Sequence, residues 1–242
     1  MKLIKYGLYV LALYVVLSRP TLYRFHEGLI HIPPKHINAF ISTPQHARIH
    51  GIDVSHYQGD IDFEKVEGTG LGFVYVKATE GITYVDPRYH ENVKKLNNTK
   101  LLTGAYHFFQ PDDDVIQQAD NFIKQINNSK HVLPPMLDVE VSNGLNVKEM
   151  KARVKQWLNY VSGKLNCRPL LYSNGDFWKQ YLGNGFDKYS FWLADYAKKP
   201  NLPAGLKKWR VWQYENTGYV NGIDGYVDHD VIIKGALDCH EQ

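Results

Sequence analysis

The sequence predicts an α/β fold: an irregular TIM-like barrel of five β/α units followed by three β-strands. Three observations carry this. From residue 49 to about 182, short apolar runs alternate with amphipathic helical patterns, as a parallel sheet requires. The chain holds eight such strand runs, enough to close a barrel whose interior side chains fill. After the sixth run the helical patterns stop. That explains a body of about 195 residues where such barrels usually take about 250.

The elements follow in order. The first strand is expected at 49–55, with a short helical turn near 63–66. The second strand, 73–78, is dense in β-branched and aromatic residues, and Pro87 opens a helical pattern over 87–97. A third strand at 102–108 leads to Asp112, Asp113 and Asp114, which suit the start of a helix over 113–126. The fourth and fifth strands, 135–141 and 169–173, are followed by helical patterns at 147–165 and 177–182. The last strands lie at 191–196, 210–214 and 225–232. A Pro/Lys-rich loop (197–208) and a Gly/Asn-rich turn (215–224) separate them.

Composition narrows the class. With 44% hydrophobic and 22% charged residues, the 242-residue chain is neither disordered nor collagen-like. Two cysteines exclude a disulfide scaffold and a four-cysteine zinc module. Cys167 and Cys239 can pair or remain buried thiols, and spacing leaves both open. Residues 1–50 carry six Lys/Arg and one Glu, whereas the remainder carries 22 basic against 24 acidic residues. So slightly acidic a body argues against nucleic acid as a partner.

The basic excess marks a separate N-terminal region. Lys2 and Lys5 precede an apolar run at 6–17, the pattern of an export signal. No small-residue cleavage site follows, so a cleaved signal and an uncleaved signal-anchor both remain open. Residues 1–18 are read as this segment and 19–47, with Pro20, Pro33, Pro34 and Pro44, as a stalk; 48–242 form the barrel. Either reading places the barrel outside the cytoplasm, periplasmic or at the cell surface, tethered or secreted, and as a monomer.

Barrels of this kind gather their active sites at the C-terminal ends of strands. Polar residues recur there: Asp53 and Ser55, Lys77 and Glu80, Tyr106 and His107, Asp138 and Glu140. The later strands add Tyr172, Asn174, Trp192, Asp195, Trp212, Gln213, Asp228 and Asp230. The sharpest feature is Asp138-Val139-Glu140, two acids on one face of a strand, with backbones about 6–7 Å apart. Carboxylates that close do not both ionise easily, and the one that keeps its proton can act as an acid near neutrality. Glycosidic cleavage needs such a pair: an acid for the leaving oxygen and an anion for the cationic centre. Tyr75, Tyr106, Tyr172, Trp192 and Trp212 add rings that either stack on sugars or fill the barrel. His107 and His229 read as packing residues, and neither a metal site nor a cofactor is expected.

These residues resemble a known family. GIDVSHYQG (51–59), FVYVKATEG (73–81), GAYHF (104–108) and LDVE (137–140) occur in order, followed by LYS (171–173), WLADY (192–196), WQY (212–214) and VD (227–228). The series is similar to glycoside hydrolase family 25, the Chalaropsis-type lysozymes, whose fold is a flattened barrel of five β/α units and three strands. The resemblance implies cleavage of the β-1,4 bond between N-acetylmuramic acid and N-acetylglucosamine in peptidoglycan. It implies Glu140 as general acid/base. It implies Asp138 as stabiliser of the developing charge, directly or by orienting the substrate's N-acetyl group. Asp53 and Asp228 complete the acidic set, and Tyr57, Lys77, Glu80, Tyr106, Tyr172, Trp192, Asp195 and Gln213 line the groove. Two alternatives stand beside it: a chitin-like N-acetylglucosaminidase, and a non-catalytic glycan-binding barrel.

Overall fold

The computed structural model describes residues 48–127 and 131–233. Residues 1–18 and 19–47, expected as a signal or signal-anchor and a stalk, and Cys239 lie outside the described residues. Among the described residues, no helix is long and apolar enough to cross a membrane.

Among the described residues there are nine strands and five α-helices, the helices falling between the early strands as expected. The five units are β1 (Arg48–Val54) with α1 (Phe63–Glu67), β2 (Phe73–Glu80) with α2 (Tyr89–Leu96), and β4 (Leu102–Phe108) with α3 (Val115–Ile126). The fourth and fifth are β5 (Met136–Asp138) with α4 (Val147–Leu165) and β6 (Leu170–Asn174) with α5 (Gly175–Phe177). α5 runs on as a π turn, Trp178–Leu182. The closing strands β7 (Phe191–Ala194), β8 (Val211–Gly218) and β9 (Val227–Ile233) follow. The sequence pattern missed β3 (Tyr84–Val85), a two-residue strand clipped antiparallel to β2. Helix starts have local causes. Asp114 accepts from the backbone N–H groups of Ile116 and Gln117, and Asn146 forms a capping box with Glu149.

Eight strands close in the order β1-β9-β8-β7-β6-β5-β4-β2, and β1–β2 pairing completes the ring. Every pair is parallel except those of β9, which runs antiparallel to both β8 and β1. A parallel return needs a crossover of a dozen or more residues, whereas β8 and β9 are joined by the short turn after Gly218.

Alternation along each strand builds two cores. Outward residues such as Ile52, Val54, Val74 and Val76 pack against Phe122, Val154 and Trp157 of the helices. Inward residues Phe73, Tyr75, Met136, Leu170, Trp192, Val211 and Ile232 fill the barrel. Two glycines make room inside. A Cβ at Gly104 would lie 2.3 Å from the Tyr75 ring, and one at Gly51 2.4 Å from the Phe73 ring. His107 belongs to the outer core: it stacks on Trp157 and bonds Thr79 and Gln118, and burial pushes it down to about 4, so it is neutral.

Candidate active site

The last inward residue of nearly every strand faces one mouth. A cleft of about 220 Å³ is lined there by Asp53, Lys77, Tyr106, Asp138, Tyr172, Gln213 and Asp228, with Glu140 and Tyr57 from the adjoining loops. Asp228 reaches this end because β9 is reversed: it starts at the mouth, and Asp228 sits opposite Asp53. β5 ends at Asp138, so Glu140 stands two residues beyond the ladder. Glu140 still lines the same cleft as Asp138.

A β-bulge shapes the cationic side of the site. The β2–β4 register slips between Lys77 and Thr79. In a regular strand, residues three apart point to opposite faces. The extra residue turns Lys77 and Glu80 to one side, where Lys77 Nζ donates to Glu80 Oε2 at 2.6 Å. Glu80 also accepts from Gln110 Nε2 at 2.8 Å. Glu80 lines an adjoining recess of about 450 Å³ that shares Tyr57 and Lys77 with the cleft. Tyr57, 81% exposed, rests on the His56 ring at 4.1 Å, and Asp86 accepts from both His56 Nδ1 and its backbone N–H.

The carboxyls hold their protons unusually well. Burial, then the nearby Glu140 and Asp53, push Asp138 far above its ordinary range, and Lys77 opposes them. Burial and Asp228 raise Glu140, while burial and Asp228 raise Asp53 strongly. Burial pushes Asp228 up to about 6. Each therefore favours a protonated folded state. For Asp228 this contribution to stability is present below the ordinary value of 3.8 and is lost as pH rises through about 6. Asp228→Asn removes this burden. Thermal unfolding should show the variant more stable than its parent at pH 7 and nearly equal to it near pH 4. A variant less stable at both pH values would contradict the sign.

Two predicted groove residues are placed elsewhere. Trp192 does not line the cleft. It is fully buried, one inward step further from the mouth, edge-on to Tyr75 at 4.8 Å, and so fills the barrel. Asp195 turns away as well: its carboxylate accepts from the backbone N–H groups of Ala197 and Asn201 and ties down the loop after β7. Sequence reasoning missed Tyr196, whose hydroxyl donates to Gln213 Oε1 at 2.9 Å. Its place beside Asp195 at a strand end was the available signal. The exposed rings at this end, Tyr57, Tyr84, Tyr196, Tyr219 and Tyr226, stand at strand ends and in the adjoining loops; Tyr75 and Trp192, further down the barrel, are buried. Among the described residues, no group of three His, Cys, Asp or Glu is arranged to hold a metal ion.

Comparison with known proteins agrees with this architecture. The chain is 38% identical to the uncharacterized protein YegX of Escherichia coli over 196 residues, covering 79% of this chain and 72% of that one. It is 34% identical to lysozyme M1 of Streptomyces globisporus over 200 residues, covering 75% of this chain and 67% of that one. The bacterial lysozyme structure from Streptomyces coelicolor superposes with a TM-score of 0.73 at 30% identity, over 78% of this chain and 96% of that one. The family model of glycosyl hydrolases family 25 matches residues 52–223. With the barrel, the acidic mouth and this match in agreement, the chain belongs to glycosyl hydrolases family 25.

Proposed function

We propose that this protein is a peptidoglycan hydrolase, a muramidase that cleaves the β-1,4 bond between N-acetylmuramic acid and N-acetylglucosamine. The observation that carries the reading is the presence of Asp138 and Glu140 in one cleft, both with raised proton affinity. The relative named lysozyme and the family membership support the substrate class.

The chemistry follows from the pair. Glu140 gives its proton to the glycosidic oxygen as the C–O bond breaks and the electron pair leaves with that oxygen. Positive charge then grows on the sugar beside Asp138. An adjacent cation favours the anion of a carboxyl, and Lys77 already pulls Asp138 that way. The proton that the two acids compete for is thus held on Glu140 before the bond breaks, and passes to the leaving oxygen while Asp138 faces the growing charge as an anion. Asp138 stabilises that charge directly or orients the acetamido group for internal attack. Water then adds, and Glu140 recovers the proton. Asp53 and Asp228 tune this pair or hold the sugar. Tyr57, Lys77, Tyr106, Tyr172 and Gln213 border the cleft, with Glu80 in the recess beside it.

The N-terminal region extends the proposal. Lys2, Lys5 and the apolar run 6–17 fit export, with residues 1–47 delivering or tethering the barrel. Membrane fractionation with N-terminal sequencing separates a tether from a cleaved signal. A single barrel supplies every residue of the cleft, which suits a monomer. Mass spectrometry of products from purified peptidoglycan tests the activity. Fragments with reducing-end muramic acid are expected. Reducing-end glucosamine would reassign the bond, and no product would leave a binding barrel.

A further inference from the structure

Asp230 lies beneath the mouth and is not among the residues that line the cleft. It is fully buried, one inward step below Asp228 on β9, and its Cα partners are Gly51 on β1 and Gln213 on β8. Trp192 Nε1 donates to Asp230 Oδ1 at 3.1 Å. Oδ2 meets no donor, and Asp53 is its diagonal neighbour across the β1–β9 pair, because Asp228 lies opposite Asp53 and Asp230 opposite Gly51.

Two ionised carboxylates cannot hydrogen-bond each other, since neither brings a proton. A buried anion with one neutral donor is also poorly compensated. A carboxylic acid fits every contact: Oδ1 accepts the indole N–H, and the proton on Oδ2 has Asp53 as acceptor. The other side of Asp53 is fixed independently. Tyr172 and Tyr196 both donate to Gln213 Oε1 at 2.9 Å, which turns the amide so that Nε2 donates to Asp53 Oδ2 at 2.8 Å. Asp53 thus sits between two donors, an amide and a carboxylic acid.

We propose that Asp230 is a positioning residue that stays a neutral acid and donates to Asp53, opposing the pull of burial on Asp53 toward its protonated form and aiming its carboxyl at the cleft. Its effect on rate rests on the muramidase reading above; its protonation state does not. The titratable groups around it are Asp53 on β1, Asp228 on its own strand, Tyr75 on β2, Tyr214 on β8 and Tyr196 after β7. Burial and Asp53 push Asp230 far above the ordinary carboxyl range. The bond between the two acids pulls Asp53 down against its burial.

Two substitutions on the full chain test this. Asp230→Asn keeps an N–H donor for Asp53 and an oxygen for the indole. Asp230→Leu keeps the bulk and loses both. With peptidoglycan as substrate, Asp230→Asn should hold kcat/KM within about threefold and leave the acidic limb of its pH profile in place. Asp230→Leu should move that limb upward by about one pH unit, a tenfold loss on the acidic side. Equal damage from both variants would mean that an ionisable group is required, and an unmoved limb in Asp230→Leu would mean that no donor is needed; either overturns the proposal. Infrared difference spectra at pH 7 need no substrate and cover a leucine variant that fails to fold. The carbonyl band of one protonated carboxyl should disappear in Asp230→Asn, and loss of a carboxylate band instead would overturn the assignment.

Discussion

Glu140→Gln is expected to lower turnover on purified peptidoglycan by about 10²–10⁴-fold, the range lost when a general acid is removed. Glutamine keeps the volume of the side chain and a hydrogen-bonding group, so the cleft keeps its shape. It cannot deliver a proton to the leaving oxygen. Glu140 stands beyond the β5 ladder, at the cleft surface rather than in the barrel core, so the fold should tolerate the change. Steady-state rates together with thermal unfolding separate a chemical loss from a folding loss. Near-normal turnover in a folded variant would take the acid role from Glu140 and give it to another carboxyl of the mouth, with Asp228 next to be tested.

Asp138→Asn is expected to lower kcat by about 10²-fold or more while KM changes little. Stabilisation of a charge that exists only in the transition state appears in kcat. The residue is nearly buried, and its neighbours Met136 and Leu137 are apolar, so little water is present to replace the lost charge. The substitution also removes a neighbour that competes with Glu140 for a proton. A rise in KM with unchanged kcat would instead make Asp138 a ground-state sugar contact.

The acidic mouth was legible in the sequence because strand alternation is a local property. Asp53, Asp138 and Asp228 sit at strand ends in patterns that a period of two exposes, and closure of eight strands brings those ends together. Three features were not legible, each for a physical reason. The run around Asp228 alternates identically in either direction, so its reversal had to be inferred from a connection too short for a crossover. An aromatic residue on a strand announces its face and not its depth, which is why Trp192 was expected in the groove and lies beneath it. The pairing of Lys77 with Glu80 depends on a bulge, and one extra residue in a ladder has no signature in FVYVKATEG. Asp230 is the intermediate case. Its alternation with Asp228 mirrors that of Asp138 with Glu140, yet only the fold reveals that it lies one step down and faces another acid.

The reversed strand β9 also bears on when the molecule can act. Asp53 comes from the first described strand and Asp228 from the last, and they become neighbours only when β1 and β9 zip together. A ribosome releases the strands in chain order, so the nascent protein carries Glu140 and Asp138 long before it has a mouth to hold them. Until β9 is made and docked, Asp53 lacks its facing partner and the barrel has an open seam. An enzyme directed against the wall is thereby assembled with its last move reserved for the end of synthesis, and a chain cut short before residue 227 would carry the acids without the chamber.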